Sequence, residues 1–488
     1  MNRFLKLVGY DSSKGTTVKT ELVAGIVTFL AMAYILTVNP NQIVGEGSSY
    51  WASVFIATAL GAIVGTLLMA FVAKMPLAQA SGMGLNSMLG GIIGGWGGYG
   101  AAFTPGQGFM LVFISGLVFL LMSVVRIKGK TFRELVFDGM PVAVRSAISV
   151  GIGLFIAFIG FQNAKVISDD PYVLLKLVSF SEYDSATANA AVCLFGLFLI
   201  AILDKLNVKG SVIIGVAGAA VLGIPLGVTN LSILAGSGDI SWKFWENFGN
   251  FFSGENSVFF SFTSVFSEGL APEGVSVFTV IMIIITMCMI DMFDTMGTVV
   301  GCCGGNRILS DENNKPHNYG AIMLSDAIAT CSGAMLGTST VTTFVESGAG
   351  VSAGGRTGLT AFSTACMFFL SMFALPLFAA IPSAAAASAL VYVGVLMMKN
   401  NVKTVDFSNA INATAAFLTI SVMVLSYSIT KGIGVGMISY TVMSVMSYLV
   451  ELVKYAITKK DKPVFSVSVV SIIVSLLFCV YFFVPVTL

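Results

Sequence analysis

Long apolar stretches recur along this chain from Glu21 to its C-terminal end, broken by short polar punctuation. The pattern predicts helical spans at 21–39, 52–73, 109–126, 141–162, 188–204, 211–230, 275–300, 318–336, 357–380, 384–398, 409–428, 433–453 and 465–486. Runs of this kind are long enough to cross a bilayer core of about 30 Å. Two further stretches are apolar but interrupted: Met75–Trp96, with its SGMGLNSMLGGIIGGWGG, and Gly337–Gly355, which reads GTSTVTTFVESGAGVSAGG. Neither suits a helix throughout, because glycine costs about 1 kcal/mol per helical position and a Thr/Val run favours extended chain.

The interruptions are related. Ser81-Gly82-Met83-Gly84 recurs 266 residues later as Ser347-Gly348-Ala349-Gly350, each copy following an extended-looking stretch. Pro141 opens a span after the first copy as Pro382 does after the second, and Lys209-Gly210 begins a span as Lys431-Gly432 does. Seven spans separate the equivalents. An odd number places the halves in opposite orientations, which makes this a seven-plus-seven inverted repeat. The segment 465–486 is left over, and the side of the C-terminus stays open.

Composition agrees with a lipid solvent. Residues AVILMFWYC make up 56% of the chain and DEKR only 10%, with a mean hydropathy of +0.92. A soluble chain carries roughly 25% charged residues. The net charge of +1 lacks the basic footprint of a nucleic-acid binder. The seven cysteines show no CxxC spacing and read as packing residues. His317 stands alone, so no metal or cofactor site is expected. Residues 1–20 are too basic and polar to read as a cleavable signal. Lys and Arg mark cytoplasmic loops. Arg3, Lys6, Lys14 and Lys19 fall on one side with Arg126, Lys128, Lys130 and Arg133, and with Lys205, Lys209, Arg307, Lys315, Lys399 and Lys403. The 231–273 loop, carrying Glu246, Glu255, Glu268 and Glu273, falls on the other. This predicts a multi-pass plasma-membrane protein with a cytoplasmic N-terminus.

Carboxylates inside apolar spans carry the chemistry. An unpaired charge at the bilayer centre costs at least about 2.5 kcal/mol, so such residues mark pathways. Asp291 and Asp294 are three apart, about 60° from each other around a helix, and share one face. Glu346 sits where the extended run gives way to glycine-rich chain. Asp326 lies outside the broken segments and reads instead as an acid bonded to backbone. Half-helices starting at Gly82–Asn86 and Ser347–Gly350 would aim N–H groups into a midplane cavity, with Asn86 as a neutral donor and acceptor and Glu346 as an acceptor. Carboxylate and amide together suit a flat heterocycle bearing N–H donors and ring-nitrogen acceptors.

The strings FLAMAYILTVNP (29–40), SGMGLN (81–86), DMFDTMGTVVG (291–301) and GTSTVTTFVESGAGVSAGGRTGLTA (337–361) resemble the AzgA-like purine permeases of the nucleobase:cation symporter-2 family. The resemblance runs from about Phe4 to about Val450. It implies an all-α membrane protein of about fourteen helices on the uracil permease fold, with a short strand and a half-helix in each of spans 3 and 10. It implies a core domain (16–138 and 274–380) moving against a gate domain (139–235 and 381–460), with an extracellular loop at 236–273 and an apolar segment at 461–488. By that resemblance Glu346, Asn86, Asp294, Gly84, Ser347 and Gly348 bind a purine (adenine, guanine or hypoxanthine), and Asp291 and Glu346 couple a proton, with sodium the lesser alternative. Uracil permeases have a Glu and a His on span 8 where this chain has Asp291 and Thr295, which disfavours a pyrimidine. The oligomeric state is open, a homodimer included. An anion carrier on the same fold is the competing reading, and carboxylates at the site argue against it. An intramembrane enzyme would need a nucleophile with its base, and neither HExxH nor GxSxG occurs.

Overall fold

The computed structural model describes residues 2–95, 101–127, 130–170, 174–181, 183–235, 240–303, 307–310, 316–407, 409–459, 465 and 467–483. Of the positions singled out above, Trp96, Lys128, Lys315 and parts of the C-terminal segment lie outside them.

The first span is Val18–Met32 (α1) continued by Ile35–Ile43 (α2), and Trp51–Leu68 (α3) is the second. A strand, Gln79–Ser81 (β1), and a half-length helix, Met83–Ile93 (α4), follow. Pro105–Val124 (α5) and the short Phe132–Gly139 (α6) lead to Val142–Asn163 (α7), Ser185–Lys205 (α8) and Ser211–Gly223 (α9). An aromatic helix, Phe244–Ser253 (α10), lies in the long loop. The second half repeats the plan: Val277–Cys303 (α11), Tyr319–Leu336 (α12), strand Val341–Thr343 (β2), Ser347–Ser352 (α13), Gly358–Ser371 (α14), Ser383–Asn401 (α15), Ala410–Leu425 (α16), Ile429–Thr458 (α17) and Val469–Phe483 (α18). Among the described residues nine helices are long and apolar enough to cross a membrane, and five shorter apolar helices accompany them.

Local chemistry sets the boundaries. The Thr17, Asp184, Thr357 and Ser428 side chains accept backbone N–H groups at the starts of α1, α8, α14 and α17. Thr104 and Gln107 form a capping box around Pro105. Pro141 and Pro382 immediately precede α7 and α15, as the repeat predicts. Gly210 likewise heads α9. Lys431-Gly432 does not start its helix: Ser428 caps α17 earlier, so the pair lies in its first turn.

The two interruptions meet. β1 and β2 pair antiparallel, Gln79 opposite Thr343, Ala80 opposite Thr342 and Ser81 opposite Val341. Both strands are fully buried, and each hands over to a helix that starts inside the protein. Around them α1 packs on α14 and α13, α3 on α12 and α14, and α5 on α11 and α12. A second group forms where α7 packs on α15 and α16, α8 on α9 and α15, and α16 on α17. The groups touch through α4 and α11 against α7, and through α2 against α15.

Arg133 departs from expectation. It counts as a loop cation in the sequence, yet α6 tucks against α5 and buries its side chain completely. Close backbone approach matters at Gly90, where an added Cβ would run into the Gln42 carbonyl of α2. Gly90→Val should therefore destabilise the fold by about 1–3 kcal/mol through overpacking. Heating detergent-solubilised protein and following loss of the monodisperse peak checks this; a midpoint equal to the parent's would contradict the contact.

Candidate functional site

Glu346 ends the extended run after β2, at the N-cap of α13, where its side chain makes no cap bond. The carboxylate is free to turn elsewhere. Tyr34, at the junction of α1 and α2, donates its hydroxyl to Glu346 Oε1 at 2.5 Å. Both side chains are buried, and Glu346 Oε2 has no hydrogen-bond partner. A buried carboxylate oxygen without a donor is costly, which makes Glu346 a candidate functional acid.

Glu346 lines a cavity of about 80 Å³ together with Asp294 and Thr298 of α11, Thr343 of β2 and Gly84 of α4. The volume is several times the roughly 10–15 Å³ a single water needs. Ile152 and Ile156 of α7 with Val393 and Met397 of α15 form an apolar wall opposite. The space thus lies on the seam between the two helical groups: acids on one side, and on the other mostly hydrocarbon with the Ser149 hydroxyl. Two carboxylates beside one small cavity repel strongly if both are charged, and a proton or a ligand N–H relieves that repulsion.

At α4 the first turn closes with Asn86 N–H donating to Gly82 O. The amide of Gly84 precedes it and lacks an intrahelical acceptor. A Cβ at Gly84 would stand 3.2 Å from Ile152 Cγ2, so glycine keeps the cavity open there. At α13 the corresponding amides are engaged: Ser347 N–H donates to Phe344 O and Gly348 N–H to Val345 O.

The sequence-predicted residues therefore divide. Glu346, Asp294 and Gly84 share the cavity. Asn86 does not line it: its Nδ2 donates to Ser81 O, and its Oδ1 accepts from the Ser339 hydroxyl. Ser347 ties the half-helix to the chain before β1 through Ala78 N–H, which its Oγ accepts at 2.9 Å. Gly348 borders a wider vestibule. Asp291 lies behind the strand pair, where Thr330 donates to its Oδ2 at 3.0 Å. Asp326, expected to bond backbone, instead accepts from the Thr295 hydroxyl at 2.8 Å and from Gln79 Nε2 at 3.0 Å. Arg356, the nearest basic candidate, donates to Val351 O and Gly355 O. Two groups, one at the site and one behind it, escaped the sequence reading. Tyr34 had a signal, since a tyrosine in an apolar span needs a partner for its hydroxyl. Arg133 had none.

Two vestibules flank the site. One of about 610 Å³ reaches Val345 and Glu346 and is bordered by Asp204, Asn207 and Lys209 of the α8–α9 loop. The other, about 710 Å³, is bordered by Asn41, Gln42 and Tyr50 at the α2–α3 loop and shares no lining residue with the site cavity.

Comparison with known proteins agrees with this architecture. Residues 19–435 match the Permease family of the xanthine/uracil type. The guanine/hypoxanthine permease PbuO of Bacillus subtilis is 35% identical over 88% of this chain and 91% of its own length. The adenine permease AdeP of Escherichia coli is 33% identical over 88% of each. Among solved structures, the transmembrane domain of a cyanobacterial bicarbonate transporter, BicA, superposes with a TM-score of 0.57 at 15% identity, covering 86% of this chain and 96% of that one. That likeness is one of fold. The chain belongs to the xanthine/uracil permease family.

Proposed function

We propose that this protein is a secondary transporter that brings purine nucleobases across the plasma membrane together with protons. The observation that carries the reading is that Glu346, whose Oε2 has no hydrogen-bond partner, and Asp294 line one small cavity on the seam between two helical groups. A purine offers in-plane N–H donors to such acceptors, and the isoleucine and methionine wall suits its apolar face. The names of relatives that match along most of the chain support adenine, guanine or hypoxanthine as substrates.

In this reading the group built from α1–α5 and α11–α14 is the core, and the group built from α7–α9 and α15–α17 is the gate. Rocking of one against the other exposes the site to each side in turn. The site cavity shares Val345 and Glu346 with the vestibule bordered by Lys209 and no lining residue with the one at the α2–α3 loop. With a cytoplasmic N-terminus, as the lysine and arginine distribution supports, this conformation is inward-open. Binding of a proton at Asp294, Glu346 or Asp291 removes the like-charge repulsion beside the cavity and so favours the loaded carrier. An anion substrate is disfavoured, because no Lys or Arg lines the cavity among the described residues while two acids do.

Uptake of labelled hypoxanthine into proteoliposomes under an imposed inward proton gradient tests this. Unlabelled adenine, guanine and hypoxanthine should differ in competing, with uracil and bicarbonate ineffective. No uptake above empty vesicles, or uptake driven by a sodium gradient instead, would overturn the corresponding part of the reading.

Glu346→Gln and Asp294→Asn should each lower uptake by more than about tenfold at normal membrane abundance, because a carboxylate-to-N–H bond contributes roughly 1.5–3 kcal/mol. Normal accumulation by both would remove them from the site. Tyr34→Phe leaves Glu346 Oε1 without its donor. It should raise the half-saturation concentration about tenfold, and unchanged kinetics would show that the hydroxyl does not hold the carboxylate for substrate.

A further inference from the structure

Behind the strand pair the chain has assembled a second charged cluster, of which the transport reading uses only Asp291. Arg133, on α6, is completely buried. Its guanidinium carbon lies 3.9 Å from the centroid of the Phe119 ring of α5, and Nη2 lies 3.6 Å from Asp326 Oδ2 on α12. None of its three nitrogens has a hydrogen-bond acceptor, and Asp291 Oδ1 has no donor. The Arg133 charge acts on Asp291 as well as on Asp326. The cluster therefore holds its cation by charge and by the aromatic face, without locking it in hydrogen bonds.

From the acids a short relay runs to the strand pair. The Thr295 hydroxyl lies 2.8 Å from Asp326 Oδ1 and 2.6 Å from the Thr342 hydroxyl of β2. Gln79 of β1 donates to Asp326 Oδ1 and to the Thr343 hydroxyl. Thr343 itself lines the substrate cavity. On the other side, α6 is the segment that joins α5 of one helical group to α7 of the other. Its last residue, Gly139, accepts hydrogen bonds from the Ser468 and Ser471 hydroxyls at the head of α18, which packs on α17.

We propose that Arg133 is the fixed counter-charge of the buried acid cluster, a positioning residue that pairs with one carboxylate behind the site and, riding on the connecting helix, transmits the cluster's charge state to the gate. It rests on the proposed proton-coupled transport. The charge count explains why one arginine is needed. Asp291 and Asp294 on α11, Asp326 on α12 and Glu346 before α13 are four acids, and among the described residues Arg133 is the one basic group with them; Tyr34, Cys288, Cys302 and Cys331 are the other titratable groups that face them. Arg133 balances Asp326, its nearest neighbour, and leaves the remaining acids to exchange protons.

The test compares Arg133→Gln, Arg133→Lys and the double variant Arg133→Gln/Asp326→Asn in the purified full chain, in detergent and in proteoliposomes. Removing one partner of a buried pair strands the other, whereas removing both does not. Arg133→Gln should lower proton-driven hypoxanthine uptake by about tenfold or more and displace its pH profile from the parent's. Arg133→Lys, which keeps a cation over the ring, should retain at least about a third of the parent's uptake. The double variant, with the same net charge as the parent, should recover to within about threefold and regain the parent's profile. The thermal midpoints, read without any substrate, should follow the same order. If Arg133→Gln fails to accumulate, a monodisperse double variant supports the pairing, and a double variant that fails equally overturns it. Uptake by Arg133→Gln within about twofold of the parent with an unmoved pH profile also overturns it. Lack of uptake by the parent would instead sink the purine reading, leaving the midpoints to decide the role of Arg133.

Discussion

Extended backbone in the middle of a membrane protein must have every N–H and C=O answered from within, and that requirement shapes everything around the strand pair. With three residues each, β1 and β2 cannot satisfy one another completely. Helix side chains supply the rest. The Thr66 hydroxyl of α3 both accepts from Gln79 N–H and donates to Gln79 O, each at 3.0 Å. The Thr330 hydroxyl of α12 lies between Val341 O and Asp291 Oδ2 and shares its one proton with them, and Gly82 N–H reaches Thr340 O. Threonines embedded in apolar helices are the consequence: their methyl groups pack with the hydrocarbon while their hydroxyls close the strand edges.

The same constraint determines where ligand chemistry becomes available. Helices that begin beside a strand begin inside the protein, so their first amides and their capping side chains sit at mid-depth instead of at the surface. Glu346 and Gly84 are functional candidates for that reason. Asn86 and Ser347, equally prominent in the sequence, are engaged in holding the strand pair and the half-helices together. Candidate binding residues and scaffolding residues are interleaved in one motif, and only geometry separates them.

Periodicity and punctuation made most of the fold legible. Prolines at 141 and 382, the SGxG pair and the long apolar runs carried the repeat and the two breaks, because helix starts and strand propensity are local properties. Membrane depth of a polar residue is not local, and the misreadings follow from that. Arg133 stands in a stretch, TFRELVFDGM, whose composition is that of a loop; only the packing of α6 on α5 takes it inside. Asp326 looked like an acid that bonds backbone because its partners, Thr295 and Gln79, come from elements far away in the chain. Tyr34 was visible as an aromatic in an apolar span, but its pairing with Glu346 across 312 positions was not.

Glycine contacts give the two helical groups a different texture from the seam between them. Inside each group helices approach backbone to backbone: Gly25 against Thr360 and Ser363, Gly358 against Ala70, and Gly153 against Gly394. Such joints leave little room for sliding or repacking. Across the seam the surfaces are Ile152, Ile156, Val393 and Met397, branched or flexible side chains meeting a hollow. Altered breadth of the hollow is therefore accessible through small exchanges of hydrocarbon on that wall, each leaving both bodies intact, so divergence in what the scaffold accommodates need not disturb how it folds.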